Sequence, residues 1–253
     1  MKKLILLVGV ALSSVMVNAQ SRWSVTPEAG LTVNKENEGK SEATLGFKVG
    51  AGVLYQIKEA QGNKPSFGLK SGLYLLMQKG DLHTWNDGYY SVGSQNGGLY
   101  PNDGYGKAAG GDGTVEHTAG VRAGEMTRYN LQLPIMAHWG FKLCDDIRLN
   151  LAVGPYVAVA LGGTASAFQT IDNKVDYSYN YDFNPFKEKK LDNGITLKGA
   201  PRFDWGGTAS AGITVRRVSF QIGYDLAWGK YHKDQNDLRI RNHQVSFTFG
   251  YTL

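Results

Sequence analysis

Three groups of residues in this chain have the types and spacing to do chemistry, and each points to a different kind. His83 and His117, with Ser91 and Ser94, supply a base and a hydroxyl nucleophile within one polar stretch, the parts needed to attack a lipid ester or phosphate. No nucleophile motif surrounds either serine, so the reading as a lipid-modifying enzyme is set aside and no catalysis is expected. Asn102-Asp103-Gly104 and Gly111-Asp112-Gly113 place carboxylates beside turning glycines, as a hard cation requires. EF-hand spacing is missing and Asp-Gly is ordinary turn chemistry, so neither a metal nor a cofactor is expected. The third group is ionic: Glu28, Asp204 and Asp225 against Lys48, Lys70, Arg128, Arg148 and Arg216. All eight fall on the polar side of alternating segments. Were those sides to face one enclosed interior, the charges would have to pair, because an unpaired charge away from water is costly. A structural plug is the expected role, rather than a proton path.

The segments that would position these charges are strands. From His243 to Leu253, apolar Val245, Phe247, Phe249, Tyr251 and Leu253 alternate with Gln244, Ser246, Thr248, Gly250 and Thr252. That period of two, with one greasy aromatic face and one small polar face, fits a strand whose outer side meets lipid. Seven further segments alternate in the same way: residues 22–33, 43–57, 66–79, 125–141, 147–161, 202–216 and 218–228. Each reaches the roughly 9 to 11 tilted residues that cross an outer membrane. Pro155 is expected to cost a ladder bond or to mark a bulge. The connections form an independent pattern. Short links at 58–65, 142–146 and 216–217 alternate with longer ones at 34–42, 80–124, 162–201 and 229–240. The chain therefore reads as all-β: an eight-stranded antiparallel up-and-down transmembrane β-barrel with short periplasmic turns, two long extracellular loops and both termini in the periplasm.

Aromatic residues mark both ends of these strands. Trp23, Tyr55, Phe67, Trp139, Phe141 and Tyr251 lie toward the short turns, and Phe47, Tyr129, Phe203, Trp205 and Trp228 toward the long connections. Two girdles at headgroup depth are expected, since indole and phenol rings have one apolar and one wet end. A soluble lipocalin-like ligand-binding barrel is the rival architecture. It would turn the apolar alternates inward and would not predict two bands.

Composition agrees. The chain has 33 Gly, 14 Tyr and 5 Trp but only 19% charged residues, poor material for helix surfaces and rich in turn and girdle residues. Mean hydropathy is slightly negative, which is compatible with strands that show only alternate residues to lipid. Residues 1–19 read as a signal peptide, with Lys2 and Lys3, an apolar run from Leu4 to Leu12 and the small-x-small site Val17-Asn18-Ala19. Residues 20–253 then form the barrel domain. Loss of the two lysines lowers the formal charge from +5 to +3, and the basic residues are dispersed, so nucleic acid is not an expected partner. The single cysteine, Cys144, rules out an intramolecular disulfide and is placed in a periplasmic turn.

Tyr129 to His138, reading Tyr-Asn-Leu-Gln-Leu-Pro-Ile-Met-Ala-His, resembles the Tyr-Leu-Glu-Ile-Pro-Leu strand of the PorT-like outer-membrane β-barrel family common in Bacteroidetes. Val153-Gly154-Pro155-Tyr156 is similar to that family's Gly-Pro-Tyr strand. Phe203 to Phe220 followed by Gly223-Tyr224-Asp225-Leu226 resembles its closing hairpin. The resemblance spans about residues 21–253 and departs at Gln132, where the family often has Glu, and at Leu253, where many such barrels end in Phe or Tyr. It implies an eight-stranded barrel of a Gram-negative outer membrane, with accessory function in protein secretion as one possible role.

An eight-stranded barrel is about filled by its own side chains, so an open channel is not expected. Function is expected in the two longest connections, which exceed the length usual for structureless links. Trp85, Tyr89, Tyr90, Tyr100 and Tyr105, then Tyr177, Tyr179, Tyr181, Phe183 and Phe186, sit there among Asn, Asp, Ser and Gly. Rigid aromatics with small polar neighbours suit contact with an extracellular protein or glycan. The expected partners are thus the outer-membrane bilayer, the barrel-insertion machinery and a surface ligand or secretion component. The expected role is non-enzymatic, structural or in surface interaction.

Overall fold

A computed structural model describes residues 22–36, 43–61, 64–81, 119–171, 174–187, 189–190, 196–197, 200–229 and 242–253. Its strands are β1 (Trp23–Glu36), β2 (Thr44–Lys58), β3 (Ser66–Asp81), β4 (Ala119–Lys142), β5 (Ile147–Ile171), β6 (Lys174–Phe183), β7 (Lys189–Lys190), β8 (Thr196–Leu197), β9 (Phe203–Val215), β10 (Val218–Ala227) and β11 (Asn242–Tyr251). Eight of them form one antiparallel sheet in the order β4-β3-β2-β1-β11-β10-β9-β5, and a β4–β5 pairing closes it into a barrel. Closure matters physically because no edge within the barrel is left with unpaired backbone groups. Leu31, Leu45 and Phe249 are 63%, 67% and 63% exposed on the outer face, where a water-soluble domain would bury such side chains. The inner face is buried and mostly polar, with Thr32, Asn34, Gln132, Gln244, Ser246 and Thr248 among it. Val25 departs from the pattern: it sits on the outward alternation yet is buried, where the Leu253 amide donates to its carbonyl (3.0 Å).

Three tight connections share one end of the barrel: residues 59–65, 143–146 and 216–217. Arg216 adopts φ 55°, the left-handed conformation that tight hairpin turns require. Its amide donates to the Asp146 carbonyl (2.8 Å), which ties two of the turns together. Cys144 is exposed in one of them. The neighbouring Lys142 ammonium, 2.8 Å from Asp145, holds that carboxyl below its ordinary range.

At the other end the expected loops are partly sheet. β4 and β5 run 24 and 25 residues, well past the length needed to cross a bilayer. β4 begins at Ala119 and β5 continues to Ile171, so both enter stretches expected as loop, and β6 pairs back onto the upper part of β5. The β7–β8 ladder lies in the same stretch. Alternation continues there as Val175, Tyr177, Tyr179 and Tyr181, but the abundance of Asn, Asp and Gly pointed to loop. Pro134 and Pro155 interrupt hydrogen bonding without shifting register. The β4–β5 ladder skips the positions between Pro134↔Tyr156 and Ala137↔Val153 and resumes in frame. The bulges fall elsewhere, between Ala123 and Met126 and between Tyr129 and Asn130.

Candidate functional site: the barrel interior and its rim

Inward positions come from every barrel strand, because successive residues alternate faces along each strand. Near the middle, Glu28 of β1 is 5% exposed and gathers three donors. Lys70 Nζ lies 3.1 Å from its Oε1, Gln221 Nε2 donates to the same oxygen (3.2 Å), and the Tyr74 hydroxyl donates to Oε2 (3.1 Å). Lys70 also donates to Gln221 Oε1 (2.7 Å), and Lys48 places its ammonium 4.5 Å from the centre of the Tyr74 ring. Gly50 and Gly72 make room for that ring, since a Cβ on either would meet its atoms at 2.8 Å or less.

A second cluster fills the half toward the long connections. Gln132 and Gln244 donate to Asp225 Oδ2 (3.2 and 3.4 Å), Gln78 donates to Gln244 Oε1 (2.7 Å), and Asn130 and Arg128 donate to Gln78 Oε1 (2.6 and 3.4 Å). Beside it, the Tyr156 hydroxyl donates to Asp204 Oδ2 (3.3 Å) and the Trp205 amide to Oδ1 (2.8 Å). Tyr74 in the first cluster and Leu76 beside the second are each 1% exposed. Three small voids adjoin these clusters. One cleft of about 80 Å³ is lined by Glu28, Lys70, His138 and Ser219, one of about 20 Å³ lies around Lys48 and Tyr74, and one of about 10 Å³ lies beside Asp225.

Six of the eight expected interior charges thus meet inside: Glu28, Lys48, Lys70, Arg128, Asp204 and Asp225. Two do not. Arg148 is exposed at the short-turn end, where β5 starts, and Arg216 is exposed in the 216–217 turn with Nε 3.4 Å from Asp146 Oδ2. Arg148 keeps the inward alternation of β5 but sits beyond the enclosed length of the barrel, and Arg216 lies past the end of β9 in a turn, where strand alternation no longer applies. Selection by charge also passed over the amides and phenols that carry the network: Gln78, Gln132, Gln221, Gln244, Tyr74 and Tyr156. Their signal in the sequence was position, an uncharged polar residue on the inward alternation of a strand.

The girdle aromatics pair across strands. Trp23 stacks on Tyr55 (4.7 Å between centroids) and Phe67 on Trp139 (5.7 Å) toward the short turns, where Phe141 and Tyr251 also lie. Toward the other end, Trp205 meets Trp228 edge-on (5.4 Å), and Phe203 and Tyr129 are exposed. Of the rim aromatics, Trp85, Tyr89, Tyr90, Tyr100 and Tyr105 lie outside the described residues, as do His83, His117, Ser91, Ser94, both Asp-Gly sites and the leader. Tyr177, Tyr179, Tyr181 and Phe183 belong to β6. Phe183 packs on Met126 and Ala165, and Phe186 lies under the Arg202 guanidinium (5.0 Å). The stretches resembling the PorT-like family have structural work here: Gln132, Tyr156 and Asp225 all belong to interior hydrogen bonds.

Residues 18–231 match the model of a family described as outer membrane protein beta-barrel domain. A comparison with curated protein sequences finds no match. Among solved structures the chain is similar to Ail, the attachment invasion locus protein of Yersinia pestis, at 10% identity over 91% of this chain and 97% of that one, with a TM-score of 0.33. Neisserial surface protein A is similar at 12% identity, 91% and 97% coverage and a TM-score of 0.36. OprG of Pseudomonas aeruginosa is similar at 9% identity, 92% and 96% coverage and a TM-score of 0.39.

Proposed function

This chain belongs to the outer membrane protein β-barrel domain family, and on that premise we propose that it is a non-enzymatic, non-conducting barrel acting at the bacterial surface through its long-connection end. The observation that carries the reading is the filled lumen. Cross-strand side-chain bonds join β1, β3, β4, β10 and β11, and the interior clefts between them hold about 80, 20 and 10 Å³, each too small for a drug-sized solute. A barrel that does not conduct has its ends left for function. The short-turn end is compact, whereas β4, β5 and β6 extend the other end beyond bilayer length and present the aromatic-rich connections. The short turns and termini face the periplasm, following a cleaved leader at 1–19, and insertion uses the barrel-assembly machinery. The ligand at the outer rim is a protein or glycan surface, which rigid aromatics among small polar residues suit.

Two measurements on the same preparation test this. Protease added to intact cells is expected to cut within residues 80–124 and 162–201 and to leave the short turns intact. Purified barrel in planar bilayers is expected to give no stepwise conductance. Regular conductance steps would make it a channel instead, and cleavage at the short turns would invert the orientation.

A further inference from the structure

Polar groups in the long-connection half of the lumen are unevenly satisfied. Asp225 is 5% exposed, and while its Oδ2 accepts from Gln132 and Gln244, its Oδ1 has no partner among the described residues. Gln132 is 3% exposed, and with its Nε2 committed to Asp225 its Oε1 is likewise unpartnered. Thr32 Oγ1, both amide atoms of Asn34 and Ser219 Oγ are also buried without a partner among the described residues, but Asp225 and Gln132 are the two such residues that line one void together. Both residues line the void of about 10 Å³, and so do Asp204 and Tyr156.

We infer that this void is a binding site for one small monovalent cation of sodium's size, held by Asp225 Oδ1 and Gln132 Oε1. The available ligands are carboxylate, amide and phenol oxygens, the hard donors that alkali and alkaline-earth ions take. The volume admits a single water-sized occupant and excludes a hydrated divalent ion or an organic cation. Charge selects the cation over a water molecule. Among the described residues, Asp204 and Asp225 both line this void and no cationic side chain does, Arg128 donating instead to Gln78, whereas Lys48 and Lys70 line the void that Glu28 shares. One bound positive charge balances the carboxylate excess where it arises, which a neutral water does not.

The test is thermal unfolding of the full chain refolded in detergent micelles, read by loss of the fast-migrating folded band. Sodium chloride is titrated while choline chloride holds ionic strength constant. The midpoint is expected to rise with the logarithm of sodium concentration, because an ion that binds only the folded barrel stabilises it by mass action. Asp225→Asn is expected to abolish the slope, and Glu28→Gln, which removes a carboxylate from the other cluster, to keep it. Gln132→Leu serves the same purpose where Asp225→Asn does not refold. Sodium-23 line broadening by the unmodified barrel gives a reading independent of any variant. A midpoint indifferent to sodium, a slope that survives Asp225→Asn or Gln132→Leu, or an unbroadened sodium signal overturns the assignment.

Discussion

Replacing Glu28 by Leu tests whether the interior is a bonded plug rather than a loose filling. The carboxylate is 4% exposed in its side chain and Lys70 12%, so the pair is largely withdrawn from water. Removing one member of a buried ion pair costs about 3 to 5 kcal/mol. The low end, about 3 kcal/mol, applies here because Lys70 keeps its bond to Gln221 Oε1 and borders the cleft of about 80 Å³, through which solvent relieves the orphaned charge. Lys70→Met alone is milder, at about 2 kcal/mol, since Glu28 keeps the Tyr74 and Gln221 donors. The double variant removes both charges and leaves three neutral groups unpaired, the Tyr74 hydroxyl and Gln221 Nε2 as donors and Gln221 Oε1 as acceptor, again about 2 kcal/mol where water from the adjoining cleft reaches them. The double is therefore expected to be no worse than the milder single and well below their sum. Urea unfolding in detergent, followed by tryptophan fluorescence and folded-band mobility, measures all four proteins. A Glu28→Leu loss under about 1 kcal/mol, or a double variant equal to the sum of the singles, refutes the plug.

Leu73 is 50% exposed at the centre of β3, opposite Ala51, and Leu73→Arg in lipid vesicles is expected to cost about 2 to 4 kcal/mol, against about 0.5 or less on a soluble surface. Gly50→Val is expected to lower the unfolding midpoint sharply, because a Cβ there collides with the Leu73 carbonyl and the Tyr74 ring; Gly162→Ala, which meets nothing within 4 Å, is the neutral control. At the 216–217 turn, Arg216→Gly is expected to be neutral or stabilising, since relief of the left-handed conformation, about 1 kcal/mol, offsets an exposed ion pair worth less, while Arg216→Val destabilises. Urea midpoints in a single detergent rank these variants.

Alternation made the barrel legible. Once Leu31, Phe47, Leu73 and Phe249 are read as one side of their strands, Glu28, Lys70 and Asp225 fall together on the other, and short turns at 143–146 and 216–217 fix how neighbours pair. Three features were harder to read. Arg148 has the right face but the wrong depth, and Arg216 falls in the turn that ends β9, because a period of two carries no information about depth or about where a strand stops. The β5–β6 hairpin was hidden by composition, because Asn and Asp favour turns locally while long-range pairing with β5 supplies the ladder. Contacts such as Gln78 with Gln244, 166 positions apart, depend on which strands lie across the lumen from each other. That is set by barrel closure and strand stagger, which no local pattern contains.

The central claim is that the apolar alternates face lipid and the polar alternates face a filled lumen. Spin labels placed singly along β11, from Val245 to Gly250, in a Cys144→Ser background test it in lipid vesicles by oxygen and nickel-chelate accessibility. The account predicts a period of two, with Val245, Phe247 and Phe249 open to oxygen and closed to nickel, and Ser246 and Thr248 closed to both. Polar positions open to nickel would mean a water-filled channel, and apolar positions closed to oxygen would mean a barrel turned inside out.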